Sequence, residues 1–255
     1  MNSRGEYPLQ IYEKDYFVGS GETDVFNLCR PSSLLMFMQD AATAHGELVG
    51  LTRNELIEKY NTVWVLARLK YELNKPISNG DTVNLKTWNR GLKGVTWCRD
   101  FSLCVNGENV GRATQVWVLA DVQTHRIKRL SGIDVLSPQS AVSFPEYEVD
   151  IGKLVHRDNL TFAFEKVIRY SDLDMNEHLN NTKYADLCCD AVNYNELPKK
   201  FLSGLQINYL QECRFGEHIA INRTTTSDAR KYICGTAVGD EKKVFFEAEL
   251  SFSEF

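Results

Sequence analysis

An internal duplication is the feature that most constrains how this chain can fold. Residues 16–42 align without a gap on residues 166–192, at an offset of 150. Farther along, residues 66–81 align on residues 202–217 at an offset of 136, so the first copy holds 14 extra residues after its helix. Few residues are identical between the copies, so the evidence for the duplication is the shared order of predicted elements. The repeat predicts two similar units related by a pseudo-two-fold axis.

Each copy is typical of a strand, then a long helix, then several antiparallel strands. Helices are predicted where apolar residues recur at i, i+4 and i+7, over about 33–48, 53–59 and 181–194. Strands are predicted at 63–73, 82–88, 96–105, 111–122, 160–169, 205–209, 218–227, 232–238 and 243–252. A long helix laid along a curled antiparallel sheet buries the apolar faces of both. The predicted fold class is α+β, with two helix-on-sheet units whose sheets join into one antiparallel array.

The composition narrows the class of protein. Hydrophobic residues make up 43% and charged residues 25% of the 255 residues, so the chain can build a core and disorder is not expected. The net charge of −5 argues against a general nucleic-acid binder. The longest apolar runs are about five residues, whereas a membrane-spanning helix needs roughly 20. The first 16 residues also lack the apolar stretch of a secretory signal.

The cysteines and histidines indicate a reduced compartment and no metal site. The seven cysteines are an odd number and show no C-x-x-C spacing, and the five histidines are scattered. Structural zinc sites need clustered ligands at short spacing. We therefore expect mostly structural thiols in a cytoplasmic protein.

The sharpest candidate for chemistry lies in residues 169–181. Asp174, Asn176 and His178 are spaced i, i+2, i+4, so in an extended segment their side chains point to one side. A carboxylate, an amide and an imidazole together can activate a water or polarise a carbonyl. The helix expected next would offer free N–H groups to an oxyanion. In the first copy the counterparts of Asn176 and His178 are Phe26 and Leu28.

Two other interpretations fit the composition of this segment at first sight. Asp, Asn and His before a helix are also ordinary turn and capping residues, and on spacing alone this alternative is equally well supported. A calcium-binding EF-hand loop would need Gly at its sixth position and Glu at its twelfth. Those positions hold Glu177 and Lys183, so the calcium interpretation is rejected.

A second candidate is Glu212, next to Cys213 at the end of an apolar strand. Their counterparts in the first copy are Pro76 and Ile77, which carry no reactive group. The simpler alternatives are that Glu212 pairs with Arg214 or faces solvent, and that Cys213 is a small buried apolar residue. For Cys213 the simpler alternative is favoured, because free cysteine is usually buried and inert.

Two basic stretches stand out in an acidic chain. Residues 86–99 carry Lys86, Arg90, Lys93 and Arg99 with no intervening acid, and residues 125–129 carry His125, Arg126, Lys128 and Arg129. Such stretches could attract an acidic partner or a phosphate. A solvated strand edge explains them equally well.

With these motifs in view, the chain resembles the acyl-[acyl carrier protein] thioesterases of plastids and bacteria, which are double hotdog proteins. The likeness covers most of the chain, through residues 63–91 and 98–103 in the first copy. Residues 171–184, SDLDMNEHLNNTKY, form the most specific stretch, and residues 209–213, YLQEC, are its expected companion. The chain departs from the common pattern at Glu177 and Leu179, neither of which removes a catalytic group.

The resemblance implies an enzyme that hydrolyses the thioester of a fatty acyl-[acyl carrier protein] and releases the free fatty acid. Its catalytic residues would be Asp174, Asn176, His178 and Glu212, with a carboxylate that attacks the carbonyl or activates water. No metal or cofactor is expected, because a thioester is already an activated acyl group. The partner would be the acyl carrier protein, with no nucleic acid and no membrane span, and a homodimer is left open.

The resemblance also implies a division of labour along the chain. Residues 1–130 would form an N-terminal hotdog that holds the acyl chain, residues 131–157 a connector, and residues 158–255 a catalytic C-terminal hotdog. The start of the chain fits a bacterial, cytosolic enzyme. Three other functions stay open: an acyl-CoA thioesterase, a hotdog enoyl hydratase or dehydratase, and a non-enzymatic acyl-binding protein.

Overall fold

A computed structural model describes residues 10–50, 52–129, 141–225 and 230–254. These residues form three α-helices and eleven strands: β1 (Ile11–Phe17), α1 (Pro31–Leu48), α2 (Arg53–Tyr60), β2 (Thr62–Leu73), β3 (Thr82–Lys93), β4 (Thr96–Val105), β5 (Glu108–Asp121), β6 (Ile127–Lys128), β7 (Thr161–Val167), α3 (Lys183–Asp190), β8 (Lys200–Tyr209), β9 (His218–Arg223), β10 (Arg230–Ala237) and β11 (Asp240–Glu254). We call β1–β6 with α1 and α2 the first half, and β7–β11 with α3 the second half. No helix in the described residues is long and apolar enough to cross a membrane.

All eleven strands belong to one antiparallel sheet. Its order is β1-β3-β4-β5-β2-β8-β11-β10-β9-β7, and the short β6 pairs with β5. The halves meet where β2 pairs with β8, with Arg68 opposite Asn208 and Tyr71 opposite Leu205. The order is symmetric about this join, because each strand of the first half except β6 has its repeat counterpart at the mirrored place. The predicted α+β class and the joined antiparallel array are confirmed.

The long helix α1 and the shorter α3 pack against each other and share one core with the sheet. Leu34, Met38 and Ala41 of α1 are buried in this core, as are Leu187 and Cys188 of α3. The prediction of a long second helix over 181–194 is wrong, since α3 has only eight residues. A separate 3-10 turn follows at Tyr194–Glu196, where the Asn193 side chain accepts a hydrogen bond from the Asn195 N–H. That local side-chain bond competes with helix continuation.

The connector expected at 131–157 proves to do more than link the halves, although residues 131–140 lie outside the described residues. Residues 141–158, which we call the strap, run over the face of the sheet opposite α1. Phe144 and Tyr147 pack edge-on against Trp88 of the first half. Farther along, the Gly152 carbonyl accepts a 2.8 Å hydrogen bond from Gln206, and His156 Nδ1 lies 2.8 Å from Glu247 Oε1 in the second half. The strap therefore ties both halves together on this face.

The basic stretch 86–99 is largely neutralised by this packing, so it does not form the free positive surface considered from sequence. Arg90 Nη1 lies 2.6 Å from Glu148 of the strap, and its Nε lies 3.2 Å from Asp100. Lys86 lies 3.4 Å from Glu13. Arg99 is buried, and burial lowers the pKa of its guanidinium to about 10. Only Lys93 of these four cations is exposed and without a described ion pair.

We expect Arg90→Ala to lower the free energy of unfolding by about 3 kcal/mol at neutral pH, because it leaves the fully buried Asp100 carboxylate without its cation. Burial raises the pKa of Asp100 to about 6. As the pH falls below that value, Asp100 takes up a proton and the ion pair is lost in the wild type as well. The difference between the two proteins should therefore shrink at lower pH.

Urea unfolding of both proteins at about pH 7.5 and about pH 5 measures this difference. Lys75→Ala is the control, since it removes an exposed cation 2.6 Å from Glu108 and should cost less than about 1 kcal/mol. Equal losses for the two variants would contradict the assignment of Arg90 as a buried structural ion pair.

Candidate functional site

The candidate site is built on a tight turn that occurs once in each half. In the first half the Asp24 N–H donates to the Leu28 carbonyl at 2.8 Å, and in the second the Asp174 N–H donates to the His178 carbonyl at 2.9 Å. The left-handed residue is Asn27 in one turn, with φ of 66°, and Glu177 in the other, with φ of 62°. The backbone of the two turns is therefore the same, and the difference between them lies in the side chains.

The aspartate that both turns share holds the turn closed. Asp24 Oδ1 accepts hydrogen bonds from the N–H groups of Phe26 and Leu28, at 2.8 and 3.0 Å. Asp174 Oδ1 accepts one from the Asn176 N–H at 2.8 Å. A short carboxylate that caps its own backbone two residues on is an Asx turn. Asp174 is therefore a turn-capping residue, as the alternative interpretation from sequence proposed, whatever further role it has.

His178 and Glu212 come into direct contact. His178 Nε2 lies 3.1 Å from Glu212 Oε2, with the histidine side chain about one quarter exposed and the glutamate 40% exposed. The two segments that carry them are joined by an isolated β-bridge between His178 and Arg214, and by a 2.7 Å hydrogen bond from the Leu179 N–H to the Cys213 carbonyl. The same bridge in the first half joins Leu28 and Ser78, where neither side chain can act as an acid or base.

Arg214 shares the Glu212 carboxylate with His178. Its Nη2 lies 3.2 Å from Glu212 Oε2, the same oxygen that His178 contacts. Within the described residues no partner is found for the second oxygen, Oε1. Glu212 Oε2 thus accepts a hydrogen bond from Arg214 and lies within ion-pair distance of His178 Nε2, while Oε1 is available to accept a hydrogen bond from water. The pairing with Arg214, the simpler alternative for Glu212, therefore exists alongside the His178 contact.

An open cleft of about 760 Å³ lies over this arrangement. Asp174, Asn176 and His178 line it, together with Tyr170 and Phe215. Glu212 is not among the residues that line the cleft, but it contacts His178, which does line it. No contact among the described residues joins the Asp174 carboxylate to the His178 ring or to Glu212. Three of the four candidate residues therefore line the cleft, and the fourth, Glu212, contacts the imidazole of His178.

Two backbone N–H groups at the start of α3 are already engaged within the turn, which counts against the oxyanion site expected there from sequence. The Asn180 side chain accepts a 2.9 Å hydrogen bond from the Thr182 N–H, and the Asn180 carbonyl accepts one from the Lys183 N–H at 2.9 Å. The side-chain amide of Asn176, which is exposed, is a donor that lines the cleft. Its oxygen accepts a 3.2 Å hydrogen bond from Arg53 Nε of α2.

Cys213 is fully buried beside the site. Burial raises the pKa of its thiol to about 12, so the thiol is protonated at neutral pH. Only the thiolate is an effective nucleophile. The structure therefore agrees with the interpretation of Cys213 as a packed apolar residue.

Cys213→Ala should accordingly keep most of the catalytic activity and lower the free energy of unfolding by about 1 kcal/mol. The measurement is kcat on an acyl thioester together with a denaturant titration. A fall in kcat of about 10³-fold in a variant that folds normally would instead identify Cys213 as a nucleophile.

Both halves of the chain match models of known protein domains. Residues 9–135 match the model of the acyl-ACP thioesterase N-terminal domain, and residues 156–253 match that of the acyl-ACP thioesterase C-terminal domain. The chain belongs to the acyl-ACP thioesterase family. The site turn and Glu212 both fall inside the C-terminal match.

Individual family members are distant relatives. A chloroplastic palmitoyl-acyl carrier protein thioesterase from Cuphea hookeriana is 26% identical over 230 residues, which are 86% of this chain and 55% of that protein. A chloroplastic oleoyl-acyl carrier protein thioesterase 2 from Arabidopsis thaliana is 24% identical over 244 residues, 89% of this chain and 66% of that protein. The chain thus spans between about half and two thirds of the length of these relatives.

Solved structures of the family share the tandem hotdog fold. An acyl-ACP thioesterase from Bacteroides thetaiotaomicron superposes with a TM-score of 0.87 at 20% identity, covering 96% of this chain and 98% of that one. A 12:0-ACP thioesterase from Umbellularia californica gives a TM-score of 0.80 at 19% identity, with the same coverage. At these identities the likeness establishes the fold.

Arg53 is the residue at the site that sequence reasoning missed. It lies between the two aligned blocks, in residues 43–65, where the first copy is 14 residues longer, so the alignment of the copies gives it no counterpart. The sequence feature that could have pointed to Arg53 is the insertion itself. An extra segment in one copy of a repeat indicates a place where the two copies differ in structure or function.

Proposed function

We propose that this protein hydrolyses the thioester of fatty acyl chains carried on acyl carrier protein, releasing free fatty acid. The observation that carries the proposal is the His178–Glu212 pair, which the second half builds on a turn that the first half also has but leaves apolar. Membership in the acyl-ACP thioesterase family supports the substrate class.

In the proposed reaction Glu212 acts as the general base, directly or through the His178 imidazole that it contacts. A water loses its proton to this pair and attacks the thioester carbonyl. The tetrahedral intermediate then collapses, the C–S bond breaks, and the departing sulfur takes up a proton. Asn176 donates a hydrogen bond to the oxyanion. Asp174 closes the turn that presents Asn176 and His178, because its Oδ1 is already engaged with the backbone.

The proposal includes the division of labour expected from sequence. Residues 158–255 supply the reacting groups, and residues 1–130 supply the acyl-chain pocket between α1 and the sheet. We place the protein in the cytoplasm, since all seven cysteines are free thiols and disulfide-free proteins are typical of reducing compartments. A homodimer would be an additional assembly, because the join of β2 and β8 already pairs the two hotdog units within one chain.

The decisive experiment compares thiol release from saturated acyl chains of several lengths on acyl carrier protein and on CoA. We expect kcat/KM to be higher with the carrier protein. Equal or higher values with CoA would favour an acyl-CoA thioesterase. Failure to release thiol from saturated substrates, with hydration of an enoyl thioester instead, would identify a hydratase. Binding without either reaction would indicate an acyl-binding protein.

A further inference from the structure

The segment in which the first half holds extra residues contacts the candidate site of the second half. It includes the start of α2, whose first residue is Arg53. Arg53 Nε donates a 3.2 Å hydrogen bond to Asn176 Oδ1, across 123 positions of the chain. An element that only the first half has therefore contacts a polar residue that only the second half has.

The placement of α2 does not depend on this contact. The Glu55 N–H donates to Thr52 Oγ1, and the Thr52 N–H donates to Glu55 Oε2, each at 3.2 Å, which is a complete capping box. Leu56 is buried in a small cluster with Trp97 and Leu119. The Arg53 side chain is exposed and stabilises neither the cap nor the cluster. Its removal should leave α2 in place.

The contact fixes which end of the Asn176 amide faces the cleft. A guanidinium has only donors, so only the amide oxygen of Asn176 can turn toward Arg53. The NH₂ group is then the end left for an acceptor in the cleft. The positive charge of the Arg53 guanidinium beside the amide oxygen also polarises the amide, which makes its NH₂ a better donor. An amide without this partner could rotate and present its oxygen to a substrate carbonyl, where it would repel the developing negative charge.

We propose that Arg53 is a positioning residue for thioester hydrolysis, which holds Asn176 so that its NH₂ donates to the oxyanion. This inference rests on the proposed function of the site. It assigns the extra segment of the first half a role in the chemistry of the second half. The two halves together then form one site: Arg53 secures Asn176 at one end and Arg214 secures Glu212 at the other.

The test begins with Arg53→Met, assayed on a small acyl thioester that carries no protein. We expect kcat to fall by about 10-fold with little change in KM, because orientation of an oxyanion donor matters most in the transition state. Arg53→Lys should recover part of the loss, since it restores a cationic donor. Lys59→Met is the matched control: it removes a cation from the same helix, where Lys59 contacts only Glu55 among the described residues, and should leave kcat unchanged.

A double-mutant cycle separates positioning from an independent role. If Arg53 acts through Asn176, Arg53→Met should add no further loss in an Asn176→Ala background. Full additivity would overturn the proposal. An effect confined to KM for the carrier-protein substrate would also overturn it, since that result would make Arg53 a docking residue.

A spectroscopic measurement tests the contact without any turnover. The side-chain NH₂ signals of Asn176 can be assigned in an NMR spectrum by their loss in Asn176→Ala. They should shift in Arg53→Met and stay in place in Lys59→Met, and unchanged signals in both would overturn the proposal. A wild-type protein that hydrolyses no thioester would refute the proposed function, whereas an active wild type with an unaffected Arg53→Met would refute only this inference.

Discussion

Glu212→Gln should lower kcat by about 10²-fold or more while the protein stays folded. Gln keeps the length of the side chain and an oxygen that can face His178, but it has no negative charge and cannot accept a proton from water. General acid–base groups contribute in the range of 10²–10⁴-fold. Because Glu212 is 40% exposed, loss of its ion pairs should change the free energy of unfolding by less than about 1 kcal/mol. His178→Ala should lower kcat to a similar extent.

The second half contains a matched control for this variant. Glu165 of β7 forms another partly exposed pair with a histidine, His218 of β9, away from the cleft. Glu165→Gln removes the same charge from the same kind of pair and should leave kcat unchanged. The two variants are compared by steady-state kinetics on the same acyl thioester, with thermal unfolding to verify folding. Comparable activity in both would remove Glu212 from the mechanism.

The element order and the joined sheet could be predicted because they depend on local patterns repeated twice. The alternating and helical apolar periodicities can be read within each segment. The repeat then indicated two similar units whose sheets join. The second helix was overestimated because apolar periodicity continues past Asp190, while the Asn193 side chain captures a backbone N–H and starts a separate turn. Periodicity reports which face is apolar and does not report such competition.

Contacts between distant segments could not be predicted in the same way. The basic stretch 86–99 looked free because its partners, Glu13, Asp100 and Glu148, lie on other strands or on the strap. The contact between Arg53 and Asn176 spans the two halves, and no local pattern marks it. At the site, Asp174, Asn176 and His178 line one cleft, but they do so on a tight turn and not on the extended segment assumed from their spacing. The spacing also could not tell a carboxylate that caps a turn from one that faces the cleft.

Asp174→Ala and Asp24→Ala form a comparison that separates those two roles. Each aspartate closes the same turn in its own half, so each variant should lower the free energy of unfolding by about 1–2 kcal/mol. Only Asp174→Ala should affect catalysis, lowering kcat by about 10²-fold or more, because its turn presents Asn176 and His178 to the cleft. The Asp24 turn presents Phe26 and Leu28, so Asp24→Ala should leave kcat nearly unchanged.

Asp174→Asn resolves how Asp174 acts, and it keeps the comparison informative if the alanine variant folds poorly. Asparagine forms the same Asx turn through its side-chain oxygen but carries no charge. Since Asp174 Oδ1 is engaged with the Asn176 N–H, we expect Asp174→Asn to retain most of the activity that Asp174→Ala loses. A loss as large as that of the alanine variant would show that the charge itself takes part in the reaction. If Asp24→Ala proved as damaging to kcat as Asp174→Ala, the active site would have been assigned to the wrong half of the chain.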